Sequence, residues 1–210
     1  AIFREVPPPD WAAWAASRAV APADLATTLA ILGALPRAAR RVLALGCGTG
    51  RNLVPLMTYG AQVVGLDASP AAARASAARP GHPVVMCADA ARAPCPSAAY
   101  DFVLALGLLP HLPPDDIPRT LAEAARVLRP GGLALLHFWD VQDARAAVGV
   151  PWRGDAARGT LSFADEDQIG AWLAGAGLNA VDWRRRRVVA AHGPQVDWLV
   201  TCQKRAVGVE

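Results

Sequence analysis

Lysine is almost absent from this chain of 210 residues: Lys204 stands alone and nearly every cation is arginine. With 21 Lys and Arg against 18 Asp and Glu, the formal net charge is only +3. That argues against a nucleic-acid partner, which a protein meets with cations clustered on one surface. Abundant alanine and arginine without lysine point first to biased genomic composition. No apolar run approaches the roughly 20 residues needed to cross a bilayer. The richest stretch, Phe102 to Leu112, holds Pro110 and His111. The first ten residues carry Arg4, Glu5 and three prolines, a poor fit to a secretory signal. Cys47, Cys87, Cys95 and Cys202 show no paired spacing, so neither a disulfide framework nor a metal site is expected. Charged residues make up 19% and hydrophobic ones 53%, with mean hydropathy +0.23, which excludes disorder. The expectation is a soluble, cytoplasmic, single domain over 1–210 with no membrane partner, either monomer or homodimer.

Against these absences, short apolar runs recur from about Arg40 onward. Arg41 to Gly46, Gln62 to Asp67, Pro83 to Asp89, Tyr100 to Gly107 and Leu133 to Trp139 show little alternation. Such runs suit parallel strands covered by helices on both faces. Ile117, Leu121, Ala124, Ala125 and Leu128 fall on one helical face that ends at Pro130-Gly131-Gly132. Ile169, Trp172, Leu173 and Ala176 repeat the pattern, with Gly177 placed as a cap. Ala180 to Val189 and Val196 to Cys202 read as closing strands. Together these predict an α/β fold with a doubly wound, mostly parallel, seven-stranded sheet. Residues 1–36 read as an N-terminal helical lid segment, with helices over 10–19 and 22–35. The second carries a stripe of Leu25, Leu29 and Leu32. Residues 37–210 form the core, interrupted near 140–160 by an aperiodic insertion. The run Arg184 to Arg187 reads as protection of an edge strand before it reads as a phosphate footprint.

Gly46-Cys47-Gly48-Thr49-Gly50 follows the first strand and opens a helix. Glycines there permit a tight turn and close approach of a ligand to the backbone. Asp67 ends the second strand, where a carboxylate accepts both hydroxyls of a ribose, and Asp89 ends the third. A dinucleotide fingerprint wants its third glycine at position 51, which is Arg51. The shorter G-x-G-x-G turn instead resembles class I S-adenosylmethionine-dependent methyltransferases. The resemblance extends through VLALGCGTGRN (42–52), VVGLDASP (63–70), MCADA (86–90), YDFVLALGLLPHL (100–112), VLRPGGLALLHFW (127–139) and FADEDQIGAWLAGAGL (163–178).

What the resemblance implies is a Rossmann-like fold using S-adenosyl-L-methionine and releasing S-adenosyl-L-homocysteine. Gly46, Cys47, Gly48, Gly50 and Asn52 would lie along the cofactor's methionine and ribose. Asp67 would hold the ribose hydroxyls and Ala68 would meet the adenine. Asp89 would read the adenine amino group, with Ala90 beside it, while Ala105 and Leu106 would flank the sulfonium. The acidic residue common two positions before the first glycine is Ala44 here. Pro94-Cys95 resembles the nucleophile of cytosine methyltransferases but precedes the fourth strand, and the motif for base-amine methylation is missing.

His111, just past the fourth strand, is the candidate catalytic base. Trp139, Trp14 and Trp152 are candidates, with His111, to surround the acceptor, and His137 weighs toward packing over catalysis. The expected function is methyl transfer to the O, N or C atom of a small-molecule acceptor. An RNA methyltransferase acting on a modified tRNA uridine and a non-catalytic scaffold are the alternatives.

Overall fold

Apolar runs flanked by helices on both sides become the parallel strands of one sheet. The computed structural model describes residues 25–79, 81, 83–147, 161–190 and 193–205. β1 (Arg41–Leu45), β2 (Gln62–Asp67), β3 (Val84–Cys87), β4 (Tyr100–Ala105) and β5 (Leu128–Asp140) run parallel. Around them lie α1 (Leu25–Ala34), α2 (Leu53–Thr58), α3 (Pro70–Ala77) and α4 (Asp116–Val127). A two-residue β6 (Phe163–Ala164) and α5 (Glu166–Gly175) follow, then the antiparallel pair β7 (Leu178–Ala190) and β8 (Gly193–Lys204). The strand order is β3-β2-β1-β4-β5-β8-β7, with β6 attached to β5. β8 runs antiparallel to β5, so β7 points the same way as β1 to β5.

Alternate residues of each strand feed two cores. Leu43, Leu45, Val103 and Leu136 pack under α4 and α5, against Leu121 and Leu173. Val42, Ala44, Phe102, Leu104 and Leu135 pack under α1 and α2, against Ile31 and Leu56.

Four details depart from the sequence reading. The sheet has eight strands, not seven. β4 leaves β5 after the pairing of Ala105 with Leu136, and β6 takes up the vacated edge at Trp139 and Asp140. This satisfies backbone groups that β4 no longer reaches. β5 starts at Leu128, so Pro130-Gly131-Gly132 lies within the strand and does not merely end α4. β3 stops at Cys87, and Asp89 instead caps a 3-10 turn, its carboxylate accepting from the Ala91 N–H at 2.9 Å. In α1 the residues docked on the sheet are Ala30 and Ile31, while Leu29 is exposed. Of the expected stripe, Leu29 is turned to solvent, and Ala30 and Ile31 join the core that holds Leu135. The helix expected over 10–19 lies outside the described residues.

β7 is an edge strand, and its arginines are ion-paired as well as exposed. Arg184 meets Asp182, Arg185 meets Asp140, and Arg186 meets Asp197. Three carboxylates thus offset most of the run's charge, which removes its appeal as a phosphate-binding stripe.

Candidate functional site

The glycine turn is tied to β2 by a single carboxylate. Asp67 accepts from the Gly48 N–H at 2.8 Å with one oxygen and from the Ser69 N–H at 2.9 Å with the other. The turn also continues the sheet, the Cys47 N–H donating to the Leu66 carbonyl at 2.9 Å. Gly46, Gly48 and Gly50 all have positive φ, at 62°, 56° and 77°. Their reasons differ. A Cβ at Gly46 would lie 2.8 Å from the Leu108 Cβ, and one at Gly50 would strike Ser76. Gly46 therefore makes room for the segment after β4, and Gly50 makes room for α3. At Gly48 nothing lies within 4 Å of the Cβ position. Of the three, only Gly48 has an open flank.

Other expected cofactor residues gather on the same edge. Ala68 is exposed just beyond β2, and the Ala88 N–H donates to the Asp67 carbonyl, bringing the end of β3 alongside. Asp89 is exposed and Ala90 buried at that end. Ala105 is buried at the end of β4, with Leu106 half-buried after it. Asn52 contributes a buried amide oxygen with no hydrogen-bond partner. An orphaned acceptor in the segment after the glycine turn suits the ammonium end of an amino-acid-bearing cofactor. Ala44, the position where the resemblance leads one to expect an acid, is 3% exposed within the core under α1. Burial there explains why a carboxylate is not needed for packing.

Cys47 is poorly suited to act as a nucleophile. Burial first, then the nearby Asp67 charge, push its thiol up to about 12. Cys95 is buried against the Tyr100 hydroxyl at 3.4 Å, ahead of β4 and away from the ligand edge. Among the described residues no group of acidic, histidine and cysteine side chains is arranged to hold a metal ion.

His111 ends a 3-10 turn, Leu109–His111, that follows β4. Trp139 lies at the end of β5. One segment bridges their two elements. The Ser162 N–H donates to the Pro110 carbonyl, the Ser162 hydroxyl to the Leu112 carbonyl, and Phe163 pairs with Trp139. Leu109, Pro110, Trp139, Ser162 and Phe163 line an apolar hollow there. Trp14 and Trp152 lie outside the described residues.

Several structural partners were not legible in the sequence. Arg79 reaches from the end of α3 to the Thr49 carbonyl at 2.8 Å and braces the glycine turn. Arg145 lies 3.8 Å over the Trp139 ring and is itself held by the buried carboxylate of Asp143. His137 meets Asp197 at 3.2 Å, and Asp197 is gripped by Arg186 at 2.8 and 2.6 Å. Burial raises the Asp197 carboxyl, but hydrogen bonds from His137 and Arg186 outweigh it and bring it down to about 2.

Residues 17–182 match the family described as "Methyltransferase domain". This chain belongs to that family, the class I S-adenosylmethionine-dependent methyltransferases. It is 36% identical over 158 residues to 27-O-demethylrifamycin SV methyltransferase of Amycolatopsis mediterranei, covering 70% of this chain and 57% of that one. The chain spans less than two thirds of the length of the curated relatives it matches. A methyltransferase structure from Methanosarcina mazei superposes with TM-score 0.69 at 20% identity, over 84% of this chain and 97% of that one. The Burkholderia thailandensis 1,6-didemethyltoxoflavin N1-methyltransferase, solved with S-adenosylhomocysteine, gives TM-score 0.63 at 22% identity, over 86% and 76%. At these identities the structural matches speak for the fold.

Proposed function

We propose that this protein transfers the methyl group of S-adenosylmethionine to a small-molecule acceptor. The observation that carries the reading is the carboxylate of Asp67 fixed to the backbone of Gly48, whose outer flank is open. When bound, the cofactor supplies a methyl group on a positively charged sulfur. The residues of this chain hold it in place. Asp67 receives the ribose hydroxyls with the lone pairs its two backbone donors leave free. Asn52 accepts from the cofactor's ammonium, the Gly46–Gly50 turn follows its methionine, and Ala68, Asp89 and Ala90 enclose the adenine. Ala105 and Leu106 stand beside the sulfur.

The acceptor enters at the ends of β4 and β5, where His111 and Trp139 face it. Transfer requires the attacking atom aligned behind the methyl at about 3 to 3.5 Å in a dry site. Carboxylates engage three of the four arginines in the only cationic run, which supports a small acceptor over RNA. No helix among the described residues is long and apolar enough to cross a membrane. All four thiols are free, which supports the reducing cytoplasm as its compartment.

The test is a methyl-transfer screen against a metabolite panel, with bulk tRNA as the competing class. Transfer to a metabolite and none to tRNA is expected. Transfer confined to tRNA would overturn the acceptor class.

A further inference from the structure

The described structure leaves two buried polar nitrogens of neighbouring side chains without hydrogen-bond partners. One is Nδ1 of His137 and the other is Nε1 of Trp139. The two residues are alternate positions of β5, so both project from the face shared with Leu135 and α1. Their rings meet edge to face at 4.8 Å. β4 pairs with β5 up to Ala105 opposite Leu136, so His137 is the first β5 residue past the end of β4, where Leu106, assigned to the cofactor's sulfur, follows.

The other side of each ring is anchored. His137 Nε2 faces the Asp197 carboxylate, which Arg186 grips with two nitrogens. An ionised carboxylate accepts and does not donate, so Nε2 carries a proton, and in the neutral ring Nδ1 then presents its lone pair. Arg145, locked to Asp143, lies over the face of Trp139 and fixes the indole, whose N–H is a donor only. An acceptor and a donor on adjacent rings, each without a partner and each ring held from behind, can be matched by one hydroxyl group, which donates to one and accepts from the other. Neither an ether nor a quaternary amine satisfies both. A packed histidine accounts for the contact with Asp197, but it leaves Nδ1 orphaned, which buried groups seldom are.

We infer that His137 and Trp139 bind the hydroxyl of a phenol or alcohol as methyl acceptor, with His137 as its base. This rests on the proposed function and narrows its acceptor to oxygen. The acceptor's O–H bond breaks and its proton passes to Nδ1 of His137. The oxygen forms its bond to the methyl carbon as the carbon–sulfur bond breaks, leaving that electron pair on sulfur. Asp197, backed by Arg186, stabilises the imidazolium until the proton passes to solvent. The Trp139 N–H steadies the negative charge that grows on oxygen. His111 is left as a residue that positions the acceptor at the rim.

The test uses the full chain, 15N-labelled and saturated with S-adenosylhomocysteine, titrated with phenol and separately with anisole. Anisole has the same ring and oxygen but no proton to give. Phenol should bind at least about 10-fold more tightly and shift the Trp139 indole N–H resonance, identified by its absence in Trp139→Phe. In His137→Gln, whose amide still reaches Asp197, the preference should fall to about unity. Trp139→Phe is the second variant, removes only the donor, and should narrow the preference if His137→Gln fails to fold. Equal binding of phenol and anisole by the wild type would overturn the inference. So would binding of neither, or an undiminished preference in the variants. Loss of S-adenosylhomocysteine binding by the wild type, measured on the same sample, would sink the proposed function instead.

Discussion

Replacing Asp67 with Ala separates the structural and ligand-binding duties of one carboxylate. In the free protein its two oxygens accept from the Gly48 and Ser69 N–H groups at 2.8 and 2.9 Å. Hydrogen bonds to a charged group contribute about 1.5 to 3 kcal/mol each. Asp67 is only half-buried, so water can take over part of the lost bonding. The net destabilisation should then be about that of one bond, roughly 1.5 to 3 kcal/mol. For a chain of this length each kcal/mol lowers Tm by about 2 to 4 °C, so the shift should be roughly 3 to 12 °C. Cofactor binding should suffer separately, because the ribose hydroxyls lose their acceptor. A loss of about 1 to 3 kcal/mol weakens S-adenosylhomocysteine by roughly 5- to 150-fold. Melting of the free protein and calorimetric titration below its Tm read the two effects independently. A lowered Tm with unchanged affinity would refute the ligand role and leave Asp67 as a brace for the turn.

Three further outcomes follow from the structure. Gly48→Ala, at a positive φ but with open space around its Cβ, should cost stability modestly, about 1 kcal/mol, yet abolish the cofactor-induced rise in Tm. Gly50→Ala, which would strike Ser76, should instead lower the Tm of the free protein more than Gly48→Ala does; the reverse order would refute this division of roles. The folded carboxyl of Asp197 lies at about 2, below its ordinary value near 3.8, so it favours the folded state above pH 4. That contribution, about 2 kcal/mol from roughly 1.36 kcal/mol per unit, disappears as pH falls from 4 toward 2. Urea unfolding should show the advantage of wild type over Asp197→Asn shrinking by about this amount across that window, and a pH-independent gap would contradict it.

The strands were legible because burial on both faces leaves an unbroken apolar signature, as in Val42 to Leu45 and Phe102 to Ala105. The glycine turn and Asp67 were legible because each sits at the end of such a run. β6 was not, since two residues carry no period and Asp165 directly after it already marks the N-terminus of α5. The start of β5 was hidden by Pro130, Gly131 and Gly132, which read as turn residues wherever tertiary pairing is unknown. Nor did the spacing of three glycines reveal that two of them serve Leu108 and Ser76 and only one faces open space. The array of His137, Asp197 and Arg186 spans three strands, and nothing local to any of them signals the others. Only the pairing of Trp139 with Asp197 and of Arg186 with Asp197 brings them into line.

In the proposed function, the edge formed by Gly48 and Asp67 holds S-adenosylmethionine for methyl transfer. Calorimetric titration of the wild-type protein with S-adenosylhomocysteine tests it most directly, with an equal concentration of NAD as the competing ligand. A single saturable site for S-adenosylhomocysteine and no binding of NAD is the predicted result. No heat with S-adenosylhomocysteine from a protein that melts cooperatively would contradict the account, as would preferential binding of NAD.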